Sequence, residues 1–226
     1  MVLIIPTCVP KSLEDLQGAL DEVGLFSQYI HLDIDDGDFT PALSWPYERV
    51  GELGAVTLSH IEGMEIGVHL MVRDVEHAGE VFAKAGAHTV IGHVEAFADI
   101  EDAPRALESW RTAGANEVGL AILLDTDIEL LEVAINSCDL LHVLSVRDIG
   151  EQGAPFDEHA IARVKKLRAL YPHTTISVDG GVNEKNIAKL VHSGASQFSV
   201  GSAIMHSAHP AHAYAHLKVT AESALQ

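Results

Sequence analysis

The stretch KAGAHTV, residues 84–90, decides the fold because its pattern recurs as TAGANEV at 112–118 and HSGASQF at 192–198. In each, a glycine closes a helical pattern and an alanine leads into a strand-like run. Glycine is the residue that ends a helix in the left-handed conformation without a Cβ clash. A repeated helix-to-strand turn predicts alternating α and β units. Outward from these joints, strand-like runs fall near residues 2–5, 29–34, 66–72, 88–92, 117–123, 139–146, 174–179 and 196–200. Helical spacing follows most of them. Ser12 is placed to cap a helix carrying Leu13, Leu16 and Leu20. Val75–Ala85, Ala103–Ala113, Ile128–Ile135, Ile161–Leu170 and Asn186–His192 repeat that spacing, and a further helix is expected after Tyr47. Eight strands with seven or eight helices predict a compact (β/α)8 barrel, residues 1–226 as one domain, with a doubly wound open sheet as the alternative.

The composition narrows the function. Of 226 residues, 47% are hydrophobic, enough for a sizeable core. No run approaches the ~20 apolar residues of a membrane span. The opening MVLIIP lacks a basic start and stops at Pro6, so no signal peptide is expected. Two cysteines, Cys8 and Cys138, cannot build a disulfide framework, which points to a reducing cytoplasm. Cys8, near the end of the first strand, reads as a buried, inert thiol. Fourteen basic against thirty-three acidic residues give a net charge of −19, which argues against nucleic acid and anionic membranes as partners. Any phosphate site must then rely on local dipoles.

Four polar side chains interrupt strands that otherwise read as buried: His31 and Asp33 in YIHLDI (29–34), His69 in GVHLMV (67–72) and Asp179 in ISVDGG (176–181). Strand side chains alternate faces, so His31 and Asp33 share one while Ile30, Leu32 and Ile34 take the other. His69 and Asp179 stand on the inward face of their strands by the same rule. All four lie toward strand C-termini, where a barrel carries its active site. Ionised carboxylates are costly to bury without compensation, and two imidazoles with two carboxylates point to a divalent metal. Zn²⁺ is the first expectation, with Fe²⁺, Mn²⁺ and Co²⁺ compatible. A calcium loop at HLDIDDGDF fails: counted from Asp33, Gly37 falls at position five and Ser44 at twelve. Asp36 and Asp38 read instead as a solvated turn.

Gly180, Gly181, Gly201 and Ser202 directly follow the seventh and eighth strands, where barrels recurrently bind phosphate. His93 and Glu95 close the fourth strand near the mouth, and His142 lies inside the sixth; none of the three acquires a role from sequence. His209, His212 and His216 read as an exposed final helix.

These segments resemble the ribulose-phosphate 3-epimerase family. HLDIDDGDFTP is similar to that family's H-x-D-x-M-D-G-x-F-x-P segment, and VHLMV, HVEA, VDGG and GSAIM match in order, with IIPT resembling the opening strand. The resemblance implies a TIM barrel that interconverts small phosphorylated ketoses, such as D-ribulose 5-phosphate and D-xylulose 5-phosphate, differing at carbon 3. It implies His31, Asp33, His69 and Asp179 as metal ligands, with Asp33 and Asp179 also the acid/base pair. Thr7, His69 and Met71 would touch substrate, and Gly180, Gly181, Gly201 and Ser202 would hold its phosphate. A homo-oligomer is implied as well. The chemistry suits the residues: inverting a carbon beside a carbonyl takes acid/base groups on opposite faces and a Lewis acid for the enediolate.

Three features depart from the family. Asp35 and Leu144 stand where it carries methionines, and VRDIGEQGAPF (146–156) replaces its Pro-Gly-Phe-Gly-Gly-Gln loop. Asp148 and Glu151 oppose a phosphate there, whereas Arg147 suits one. The alternatives are another enediolate-forming lyase or decarboxylase on the same barrel, or a barrel that binds phosphosugar or metal without turnover. The absence of lysine from the second and third strand segments counts against the former.

Overall fold

The computed structural model describes residues 2–58, 63–147, 149–150 and 153–225. Among them, eight parallel strands close on themselves: β1 (Leu3–Cys8), β2 (Tyr29–Asp35), β3 (Glu65–Met71), β4 (Thr89–His93), β5 (Glu117–Ile122), β6 (Leu140–Leu144), β7 (Thr175–Asp179) and β8 (Gln197–Val200). β8 pairs back onto β1, so the open-sheet alternative is excluded. Helices α1 (Leu13–Val23), α2 (Val75–Lys84), α3 (Ala103–Ala113), α4 (His159–Leu170), α5 (Ile187–Ser193), α6 (Ser202–Met205) and α7 (Pro210–Ser223) complete a (β/α)8 barrel.

The helix ends follow the sequence signals. Ser12 is extended and its hydroxyl accepts the Asp15 N–H at 3.1 Å, satisfying one free donor of α1. Gly86, Gly114 and Gly194 take φ of 105°, 133° and 108°, as the three recurring joints require. Two expectations fail. Among the described residues between Tyr47 and β3 there is no helix: Tyr47–Arg49 pairs antiparallel with Glu52–Leu53, and the Gly51 N–H between them donates to the Asp36 carbonyl at 2.9 Å, tying the turn to the end of β2. Residues Ile128–Val133 and Ile135–Ser137 form 3-10 turns rather than one α-helix. There the Asp127 side chain accepts the Glu129 N–H, and tight bonds such as Ala134 N to Leu131 O compete with α spacing.

The principal apolar core lies between sheet and helices. Outward Ile30, Leu32, Val68, Leu70, Val118, Leu120, Ile176 and Val178 pack with Leu16, Leu20, Phe82, Leu107 and Trp110. Each such side chain contributes about 1.5–3 kcal/mol when fully buried. The barrel interior is different. A small apolar cluster of Ile91, Ala121 and Leu140 occupies part of it, beside buried His31, His69, His93, His142, Ser177 and Ser199. Stability therefore comes from outside the barrel, leaving the inside available for polar chemistry.

The α2–α3 contact offers a direct test. A Cβ on Gly79 would fall 2.1 Å from Trp110, whose buried indole N–H donates to the Glu76 carbonyl at 3.1 Å. In an open helix, glycine to alanine gains about 1 kcal/mol. Here Gly79→Ala is expected to cost about 1–3 kcal/mol through overpacking, measured by urea denaturation. A stabilised variant would show that the two helices do not meet as described.

Candidate active site

Strand register brings the inward polar residues together. Asp33 of β2 lies beside His69 of β3, and His142 of β6 lies beside Ser177 of β7 with Leu144 beside Asp179. His69 Nδ1 is 3.2 Å from Asp33 Oδ1 and 3.7 Å from Asp179 Oδ2. His31 Nε2 is 3.5 Å from Asp33 Oδ1. All four residues are buried. His142 joins them: one donor atom each from His31, His69, His142 and Asp179 lie within 4.8 Å of one another, a group able to hold a divalent metal. Asp33 adds a carboxylate oxygen against two of those imidazoles.

The far side of His69 is held by a chain of polar contacts. Its Nε2 is 2.9 Å from His93 Nε2, and His93 Nδ1 is 2.8 Å from Glu95 Oε2. Glu95 Oε1 accepts from the Leu123 N–H and the Thr126 hydroxyl. Burial pushes the Glu95 carboxyl up, but the bonds from His93, Leu123 and Thr126 outweigh it, leaving it below its ordinary range. An ionised Glu95 only accepts, so His93 Nδ1 carries hydrogen. In the tautomer in which His69 Nε2–H donates to His93 Nε2, that contact and the Glu95 contact are both satisfied. His69 Nδ1 is then a lone pair aimed at two carboxylate oxygens. That placement is repulsive unless a cation lies among them, so the donor set fits a metal ion.

The imidazoles differ electrostatically. Burial and the neighbouring His142, His93 and His31 hold His69 well below the usual histidine range. Burial, with His31 adding to it, also lowers His142 despite Asp179. For His31, burial lowers the pKa, but the nearby Asp33 carboxylate and the charge of Asp179 raise it overall. Neutral imidazoles are the form that coordinates metal. Cys8 is inert, its thiol pushed up to about 12 by burial and Asp33.

Above this cluster a cavity opens at the strand C-termini, lined in part by Thr7, Asp33, Met71, Asp179, Gly180, Gly181, Gly201 and Ser202. His69 does not line it; the residue is fully buried beneath and meets the cavity through Asp33 and Asp179. Gly180 and Gly181 take φ of 101° and 64°, and a Cβ on Gly181 would fall 2.6 Å from the Phe156 nitrogen, so both are required to be glycine.

The three departures resolve differently. Asp35 faces the cavity, its carboxylate accepting from Thr40 Oγ1 at 2.6 Å, and burial raises its carboxyl to about 6. Leu144 lines the same wall. Arg147 turns away onto Asp157 (2.5 Å) and Asp125 (3.5 Å), so its guanidinium serves carboxylates. Asp148 and Glu151 lie outside the described residues. Asp36 is not solvated as expected: it is buried and accepts the N–H groups of Asp38, Phe39 and Arg73, pinning the turn after β2.

Residues 5–205 match the model of the ribulose-phosphate 3 epimerase family. The chain belongs to that family. Ribulose-phosphate 3-epimerase of Aquifex aeolicus is 31% identical over 77% of this chain and 76% of its own. The Synechocystis epimerase is 30% identical over 87% of this chain and 83% of its own. Among solved structures, a liganded form of KGPDC from Streptococcus mutans superposes with a TM-score of 0.74 at 16% identity, covering 99% of this chain and 98% of that one. The 3-hexulose-6-phosphate synthase of Salmonella typhimurium gives 0.69 at 16%, covering 99% and 100%. At such identities these two share the fold alone. Among the described residues, no helix is long and apolar enough to cross a membrane.

Sequence reading left His93, Glu95 and His142 without roles. Glu95 was detectable only as a carboxylate two residues beyond an inward histidine; its bond to His93 arises in the 3-10 turn Val94–Ala96, which strand periodicity does not describe. Within this epimerase fold, Glu95→Gln is expected to weaken divalent-metal binding about 10–100-fold, as loss of an orienting partner does. Chelator competition measures it, and an unchanged affinity would detach the Glu95–His93 pair from the centre.

Proposed function

We propose that the chain is a divalent-metal-dependent 3-epimerase of small phosphorylated ketoses, with D-ribulose 5-phosphate and D-xylulose 5-phosphate as the first substrates. The observation that carries this reading is the placement of Asp33 and Asp179. They rise from β2 and β7, with β1 and β8 between them, and both line the cavity while approaching the same His69 nitrogen. Two carboxylates on opposite sides of a bound sugar can remove the carbon-3 proton from one face and return one to the other.

His31, Asp33, His69 and Asp179 would hold the ion, Zn²⁺ by preference. When bound, it supplies Lewis-acid stabilisation of negative charge developing on substrate oxygens. Thr7 and Met71 line the reacting end. Among the described residues lining the cavity there is no lysine or arginine. A phosphate would therefore meet backbone N–H groups at Gly180, Gly181, Gly201 and Ser202. The same absence gives no support to lyases or decarboxylases that depend on an active-site lysine. Asp35 adds a carboxyl that burial raises to about 6, tempered by the Thr40 hydroxyl, and would shape which ketose phosphate turns over best.

Incubating metal-loaded protein with ketopentose phosphates in D₂O tests the reading. Deuterium incorporation at carbon 3 with inversion is expected. Asp179→Asn should lower inversion by at least ~10²-fold, the scale of a lost acid/base group, with the circular dichroism spectrum unchanged. Wild-type-like turnover in that variant would remove Asp179 from the chemistry. Carbon–carbon cleavage in the wild type would replace epimerase with lyase.

A further inference from the structure

His142 has no part in the proton transfers above, yet its setting is that of a ligand. It sits mid-strand in β6, between Leu140 and Leu144, which share its inward face. A leucine would fit that pattern; a fully buried imidazole departs from it. Its Nδ1 is 3.1 Å from Ser177 Oγ on β7. Its Nε2 has no hydrogen-bond partner and stands 3.7 Å from Asp179 Oδ2, beyond hydrogen-bond length. The ring stacks on His31 with centroids 5.3 Å apart and leans on His69 at 4.6 Å. His31 Nε2 is likewise without a hydrogen-bond partner. Two unpartnered nitrogens, one facing Asp33 and the other Asp179, deep in a barrel, are expensive unless something between them supplies the missing partner.

We propose that His142 is itself a ligand of the metal centre, through Nε2, with Ser177 accepting Nδ1–H and thereby setting the tautomer. The centre then comprises His31, His69, His142, Asp33 and Asp179: three imidazoles and two carboxylates, against the two and two legible from sequence. A third imidazole moves preference toward Zn²⁺ and Co²⁺ and away from Mn²⁺. The proposal rests on the reading of the cluster as a metal centre, and not on the epimerase chemistry.

Proton NMR of the intact Co²⁺-loaded protein reports each coordinated imidazole as a shifted, exchangeable N–H signal. His142→Leu is expected to lose one such signal while the others persist, and His209→Leu, on the surface, should lose none. Zn²⁺ dissociation constants from chelator competition should rise at least ~10-fold in His142→Leu, with the Zn²⁺ over Mn²⁺ preference reduced. Should His142→Leu fail to fold, Ser177→Ala should shift or broaden that one signal alone. The same signals in wild type and His142→Leu, or in wild type and Ser177→Ala, would overturn the proposal whatever the affinities. Protein that takes up no divalent metal would overturn both this proposal and the metal-dependent reading. Protein that loses one signal in His142→Leu but exchanges no carbon-3 proton would retain this centre and lose the epimerase assignment.

Discussion

One contact organises the molecule: His69 Nδ1 set against the oxygens of both Asp33 and Asp179. Held in water, three such groups would move apart. Here they are fixed by strand register on two sides and by the Glu95–His93 chain behind. The protein thus stores a site whose electrostatics are incomplete alone and complete with a divalent cation. The buried carboxylates follow from the same logic, since such groups persist in a core when paired or metal-bound.

Such a site is tolerable because the barrel separates stability from chemistry. The large aliphatic and aromatic side chains lie between strands and helices, in a core that includes Trp110, Phe82 and Phe198. The interior is relieved of packing duty and given to histidines and serines. Parallel strands then place residues two apart on one inward face, so His31, Asp33 and Asp35 climb one wall from the metal cluster to the cavity mouth. Closure of the sheet brings β7 round to meet them.

The departures from the family lie at the cavity mouth. Three carboxylates, Asp33, Asp35 and Asp179, line it. The one arginine near the altered loop is bound to Asp157 and Asp125 rather than turned inward. On a chain of net charge −19, an anionic substrate gains nothing from long-range attraction. Its recognition must come from backbone amides at close range and from whatever cation neutralises the carboxylates. At Gly181 the Phe156 backbone leaves no room for a Cβ, so glycine is what lets the two loops pack at the mouth.

Much of this was legible before folding. Apolar runs marked the strands, glycines at 86, 114 and 194 marked the joints, and polar residues in apolar strands marked His31, Asp33, His69 and Asp179. These signals are local: each depends on backbone geometry over a few residues. Three-dimensional closure decided the rest. The hydrogen-bond chain from Glu95 through His93 to His69, the tight 3-10 turns after Asp127 and the inward turn of Asp35 depend on partners distant in the chain or on competing local bonds. His142 is the clearest case. One histidine in an apolar strand is ambiguous in one dimension, and only the curvature that sets its Nε2 against Asp179, with Ser177 behind it, distinguishes a metal-facing group from a filler of the core.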